Sequence, residues 1–309
     1  MALHSVSGRW KLGLLLALAT ASFWASLPIA LKVALQDVDV VTLTWFRFSF
    51  AALGLALWLQ LRGGFAPFFR LPGRQWGWLL LAALMLIANY VFYLLGLDYT
   101  TPTNAQLIIQ LAPLLMAVGG IVLFKERFAL GQWLGLAAVA LGMWLFFSDQ
   151  RAQIGGQGYT FGVWMILLAA LVWTVYALIQ KQLLLHLSSP RILFFIYLLA
   201  GIVLLPFSQP SRLWQLQTGQ WIAVLYCALN TLAAYGAFAE ALAHWEASRV
   251  SVVLALTPLL TLICMELSQW FLPGLVTPEQ LGLLGGIGAL LVVLGSASTS
   301  LMGRRAARR

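Results

Sequence analysis

The stretch Gln75–Leu97, QWGWLLLAALMLIANYVFYLLGL, decides the fold together with its partial echo 145 residues later, Gln220–Leu242, QWIAVLYCALNTLAAYGAFAEAL. Each holds 23 residues, and the first carries no charge at all. A bilayer-crossing helix needs roughly 20 mainly apolar residues, so both segments read as membrane spans. Working outward, eight further runs of this kind complete a set of ten: 10–34, 41–61, 75–97, 102–124, 129–147, 161–183, 190–207, 219–242, 249–271 and 278–301. The runs are long and continuous, whereas membrane strands would show segments of about ten residues with alternating polarity.

Composition agrees. Of 309 residues, 62% are hydrophobic and 9% charged, and mean hydropathy is +0.91. A soluble domain carries about 25% charged residues, so a soluble enzyme and a nucleic-acid-binding domain are both excluded despite the net charge of +9. Arg9 and Lys11 before an apolar run resemble a signal peptide, but that segment recurs later in the chain, which argues for a retained span. Cys227 and Cys264 fall within spans and read as structural thiols.

Cytoplasmic loops collect Lys and Arg. With the N-terminus inside, 14 of the 18 basic residues fall on the inner side: Arg9, Lys11, Arg62, Arg70, Arg74, Lys125, Arg127, Lys181, Arg191, Arg249, Arg304, Arg305, Arg308 and Arg309. Lys32, Arg151 and Arg212 fall outside, with Asp37, Asp39, Asp98, Asp149 and Glu279. The charge therefore sets topology, with both termini cytoplasmic, and the Arg304–Arg309 tail can rest on anionic lipid.

The chain also repeats itself. At the offset of 145, Gln75-Trp76 meets Gln220-Trp221, Tyr90 meets Tyr235, and Pro113-Leu114-Leu115 meets Pro258-Leu259-Leu260. At 149, Trp24 meets Trp173 and Lys32 meets Lys181; at 153, Gly135 and Gly142 meet Gly288 and Gly295. The expected units are residues 1–149 and 150–309, with five spans each. An odd number of spans inserts the second copy upside down. Inverted repeats of this kind are a signature of secondary transporters, with the ligand near the midplane between the halves; they also occur in channels. The fold class expected is an all-α membrane protein of ten transmembrane helices in two inverted five-helix repeats.

The chain resembles the EamA-type carriers of the drug/metabolite transporter superfamily over nearly its whole length. The resemblance rests on the Trp24 and Trp173 spans ending in Lys32 and Lys181, on Arg47, on Leu111-Ala112-Pro113-Leu114-Leu115 running to Lys125-Glu126-Arg127, and on the Gly135/Gly142 pair. The second copy departs from the pattern: counted from the proline, Phe271 stands opposite Glu126, with Glu266 five residues earlier, while counted from the glycines Glu279 matches it. A role for Glu266 is therefore not inherited. The resemblance implies a carrier of the bacterial inner membrane that moves amino acids or similar small metabolites, often outward, by alternating access. A channel or membrane sensor on the same scaffold is the alternative, and an intramembrane enzyme a more distant one.

Polar residues within spans are costly and mark function or helix–helix contact. Gln106 and Gln110 share a helix face with Pro113; they either line a cavity or join helices. Asn89 and Tyr93 share a face flanked by Tyr90; Trp24, Trp173 and Tyr176 stand near mid-depth, with Gln180 a turn further in, and Tyr235 lies in the eighth span. Taken singly, each aromatic residue reads equally as packing between helices. Together these residues suit an aromatic cavity for a small amphipathic ligand. Arg47 either snorkels to the surface or meets a substrate carboxylate. Glu266 is a candidate proton site or a paired structural carboxylate, and Pro28, Pro113 and Pro258 are candidate gating kinks. The expected partners are the lipid bilayer, a small-molecule substrate and, in a coupled carrier, protons; nucleic acid is not expected. No cofactor is expected: His4, His186 and His244 lack metal-ligand spacing and no Walker A pattern is present. Gly288 and Gly295 serve either packing within the chain or contact in a homodimer, so the chain reads as a monomer or a homodimer.

Overall fold

The computed structural model describes residues 9–62, 64–112, 115, 130–154, 157–183, 185–245, 250, 253–254, 256–271, 274 and 281–302. These residues are helical almost throughout, with no strand among them. The helices are α1 (Trp10–Ala34), α2 (Val40–Arg62), α3 (Gly73–Tyr99), α4 (Pro102–Ile108), α5 (Leu130–Ile154), α6 (Gln157–Leu183), α7 (Ser189–Leu204), α8 (Thr218–His244), α9 (Thr257–Phe271) and α10 (Leu283–Met302). A single turn, Ala66–Phe69, lies between α2 and α3, and two 3₁₀ turns, Leu205–Phe207 and Pro210–Gln215, lie between α7 and α8. Seven of the helices are long and apolar enough to cross a membrane; Leu283–Ser298 is a shorter apolar stretch.

Local chemistry sets several of the ends. Asp39 Oδ1 accepts from the Thr42 amide at 2.9 Å, and Thr101 accepts from the Asn104 amide at the start of α4, each satisfying a donor that the helix leaves free. Gln217 and Gln220 form a reciprocal capping box at the start of α8. The C-terminus of α3 is closed from another helix: Lys32 Nζ, on α1, donates to the carbonyls of Leu97 (2.9 Å), Asp98 (2.5 Å) and Thr100 (3.0 Å). A cation at a helix C-terminus also complements the helix dipole.

The closest helix pairs are α5 with α10, α3 with α6, α1 with α8, and α2 with α7. Every one of these pairs joins a helix from the first half of the chain to one from the second. Exchanging α1 with α6, α2 with α7, α3 with α8 and α5 with α10 maps the set onto itself. Glycines permit the tightest approach. A Cβ added at Gly142 would lie 2.6 Å from the Gly288 carbonyl oxygen, and one at Gly295 would lie 2.6 Å from the Gly135 carbonyl oxygen. Gly288 and Gly295 thus pack within the chain, which favours that alternative over a dimer contact for these residues. In the same way Gly96 on α3 meets the Gly162 carbonyl on α6. Small residues let membrane helices approach closely enough for backbone contact.

The helix breaks at corresponding places in the two halves. After α4 the chain turns at Ile109–Gln110, and before α9 it turns at Leu256. Pro258 is the second residue of α9 and is buried. A proline ring excludes the carbonyl four residues back, here that of Leu254. That carbonyl instead accepts from Thr257 Oγ1 at 2.6 Å. Pro113 lies outside the described residues. Pro28 is buried within α1, which continues unbroken through it.

Candidate functional site

Arg47 is the largest of the fully buried side chains, at 2% exposure. Its position follows from α2 packing between α7 and α8, which leaves no path for the side chain to reach the surface. The Nε–H donates to Thr231 Oγ1 on α8 at 3.2 Å, and the guanidinium carbon lies 4.8 Å from the centre of the Tyr90 ring on α3. Thr231 donates its own hydroxyl proton to the Cys227 carbonyl at 2.9 Å. Among the described residues the one ion pair is Glu240 with His244 at 3.2 Å, so no carboxylate there faces Arg47. A guanidinium has five N–H donors, and one is engaged. Burial rules out one of the two alternatives for Arg47: the side chain does not snorkel.

The Tyr90 ring faces this charge, and further aromatic rings pack behind it. Tyr90 packs on Phe48 with centroids 4.4 Å apart, and Phe48 stacks on Tyr197 of α7 at 5.3 Å. Trp24 meets Tyr235 edge-on at 5.7 Å and Phe238 at 5.6 Å. Trp173 and Tyr176 of α6 pack edge-on at 6.5 Å. Tyr90, Tyr176 and Tyr197 share one buried cluster, against which Tyr235 packs. Tyr176 is 2% exposed, and its hydroxyl has no hydrogen-bond partner. A buried, unsatisfied hydroxyl is costly and is available to a ligand.

The amides hold the walls. Gln106 donates to the Trp24 carbonyl at 2.8 Å and accepts from the Tyr93 hydroxyl at 3.3 Å, tying α4 to α1 and α3 beside the aromatic cluster. Asn89 donates to the Ala169 carbonyl of α6 at 2.9 Å, and Asn230 donates to the Phe23 carbonyl of α1 at 2.8 Å. The two asparagines join the pairs α3–α6 and α1–α8. Gln110 is buried at the turn after α4, and Gln180 is half-buried one turn beyond Tyr176. Glu266 is exposed on the surface of α9, away from this cluster.

The structure therefore brings together Trp24, Arg47, Tyr93, Gln106, Trp173, Tyr176 and Tyr235, and it adds Phe48, Thr231 and Tyr197. Two of these additions carry a sequence signal. The register of 149 that pairs Trp24 with Trp173 also pairs Phe48 with Tyr197. Thr231 has none, because a single threonine in a span is ordinary. Among the described residues no group of acidic, histidine or cysteine side chains has the arrangement of a metal site.

A bundle of apolar helices with, among the described residues, a cation buried without a carboxylate partner between helices of the two family matches defines a polytopic membrane protein with an internal polar site. The chain belongs to the EamA-like transporter family, which matches it twice, at residues 11–148 and 160–301. It is 38% identical over 301 residues to the "uncharacterized inner membrane transporter YhbE" of Escherichia coli K12, covering 95% of this chain and 92% of that protein. An "uncharacterized transporter" of Haemophilus influenzae is 35% identical, covering 94% of this chain and 95% of that one. A riboflavin transporter of Vibrio cholerae is 25% identical over 76% of this chain and 75% of its own length. A crystal structure 20% identical superimposes with a TM-score of 0.66, covering 98% of this chain and 99% of that one, which shows a shared fold.

Proposed function

We propose that the protein is a secondary transporter of the inner membrane that moves a small carboxylate-bearing metabolite, an amino acid or a related compound, outward by alternating access. The observation that carries this reading is the buried guanidinium of Arg47, which faces an aromatic cluster and has no carboxylate beside it among the described residues. A substrate carboxylate supplies the missing partner in a paired, charge-assisted geometry, while Trp24, Trp173 and Tyr235 offer apolar faces to its body and the Tyr176 hydroxyl offers a hydrogen bond.

The architecture in this proposal is ten spans in two inverted repeats, residues 1–149 and 150–309, with both termini cytoplasmic. Three observations support it: the helix pairs that map onto one another, the reciprocal contacts of Gly142 with Gly288 and Gly135 with Gly295, and the breaks before Pro113 and Pro258. Broken helices at a repeat interface are a recurring place for substrate sites in transporters. The names of the Escherichia coli and Haemophilus influenzae relatives support transport, and the first supports the inner membrane. Riboflavin, named for the Vibrio relative, is a second candidate that the aromatic cluster favours; it is neutral, however, and leaves Arg47 without a counter-charge.

The test is release from proteoliposomes loaded with amino acids, their 2-oxo acids, polyamines and riboflavin, read by mass spectrometry with and without a pH gradient. Selective, saturable release of a carboxylate is expected. Release of riboflavin or a polyamine in its place refutes the carboxylate reading. Counterflow separates a carrier from a channel, because a channel gives no transient accumulation of label.

A further inference from the structure

We infer that this transporter works as an exchanger of carboxylates, because the charge of Arg47 slows the return of an empty site. The inference rests on the reading of the Arg47 cluster as the substrate site and adds a mode of transport to it. Arg47 cannot lose its proton in a protein, and it is 2% exposed. Among the described residues, the hydrogen-bond partner and the ring that face its guanidinium are neutral: the Thr231 hydroxyl and the Tyr90 ring. Thr231 cannot supply charge, since an aliphatic hydroxyl stays neutral, here donating its proton to the Cys227 carbonyl.

The contact also crosses the two halves of the chain. Arg47 and Tyr90 belong to the first family match and Thr231 to the second. Any movement of one half against the other therefore carries the cation through a junction from which water is excluded. An unpaired ion in such a place is strongly penalised, whereas a carboxylate seated against it removes most of the penalty. A ligand that binds one conformation better than others shifts the population toward it. A substrate carboxylate binds best where the guanidinium is driest, so it favours the closed state through which the halves interchange. The loaded protein crosses quickly and the empty one slowly. Outward movement of one carboxylate is then slow by itself and fast when another moves inward.

The experiment uses proteoliposomes of the full chain, loaded separately with radiolabelled L-leucine, L-phenylalanine, L-glutamate or 2-oxoisovalerate in a chloride-free sulfonate buffer. They are diluted into the same buffer with or without the unlabelled compound. Efflux at least about tenfold faster with the compound outside is expected for whichever carboxylate is carried, a ratio that corresponds to about 1.4 kcal/mol in the barrier. In Arg47→Gln, loaded at concentrations high enough to offset the weaker binding of the carboxylate, flux falls in both dilutions and the ratio should fall toward unity, because the neutral site returns freely, while Arg47→Lys keeps the charge and keeps the ratio. Wild-type efflux that is equally fast in both dilutions overturns the inference while leaving the carrier reading intact. A ratio that persists in Arg47→Gln also overturns it. No flux of any of the four compounds in either mode refutes the carboxylate-carrier reading itself, and the exchange inference falls with it.

Discussion

Arg47 and Thr231 stand 184 residues apart in the chain, yet the Arg47 Nε–H donates to the Thr231 hydroxyl at 3.2 Å, from one half of the protein to the other. The hydroxyl has a single proton, already given to Cys227, so it can only accept from the arginine. This fixes one edge of the guanidinium against α8.

The first prediction concerns the head group. Arg47→Lys keeps the charge but loses the planar fork, which takes both the Thr231 contact and the stacking on Tyr90 with it. We expect KM for the transported carboxylate to rise about tenfold, the equivalent of about 1.4 kcal/mol, with insertion into the membrane unchanged. Initial rates against concentration in proteoliposomes check it.

A related prediction tests Thr231 as the positioning partner. Thr231→Val leaves the Nε–H without an acceptor, at a cost of about 1–3 kcal/mol, whereas Thr231→Ser preserves the oxygen. KM should rise severalfold in the first variant and recover in the second. A purely structural role for Thr231 would instead lower the melting temperature of both variants and leave KM alone.

Packing between α5 and α10 gives a third. Gly142→Ala and Gly288→Ala each place a methyl 2.6 Å from a backbone oxygen of the facing helix, while nothing lies within 4 Å of a Cβ at Gly286. Overpacking typically costs about 1–3 kcal/mol. Thermal unfolding in detergent should fall by several degrees for the first two and stay level for Gly286→Ala.

Lys32 leads to a fourth. Its ammonium closes three carbonyls at the end of α3, and methionine of similar length leaves those carbonyls without that donor. Lys32→Met should lower the unfolding temperature and speed amide exchange at Tyr99 and Thr100, measured by hydrogen–deuterium exchange.

Glu266 supplies the last. It is exposed on α9, so Glu266→Gln should leave both the transport rate and its pH profile unchanged. A flattened pH profile would restore the carboxylate as a proton site.

Much of this was legible in the chain itself. The apolar runs located the helices, because a helix must satisfy its own backbone in lipid, and the offsets of 145, 149 and 153 paired the halves. The repeat even marked the packing partners: Gly135, Gly142, Gly288 and Gly295 were paired in sequence by equivalence, and they meet in space as Gly142 with Gly288 and Gly135 with Gly295. Pro113 and Pro258 marked where helices break, although the turns fall two to four residues before the rings, while α1 runs unbroken through Pro28. The displacement follows from the clash of a proline ring with the carbonyl four residues back.

Pattern alone did not decide which face each polar residue presents. Asn89 and Tyr93 sit one turn apart on α3, yet Asn89 is spent on the Ala169 carbonyl while Tyr93 bonds to Gln106. Arg47 and Glu266 are both charges within apolar runs, yet one is sealed among aromatic rings and the other is exposed on α9. Sequence determined the helices, the membrane class, the family and the duplication, since these depend on periodicity and hydrophobicity along the chain. Only the tertiary structure decided that Arg47 stands unpaired among Tyr90, Thr231 and their neighbours, because the environment of a charge is set by residues distant in the chain, and in lipid that environment governs what the charge can bind.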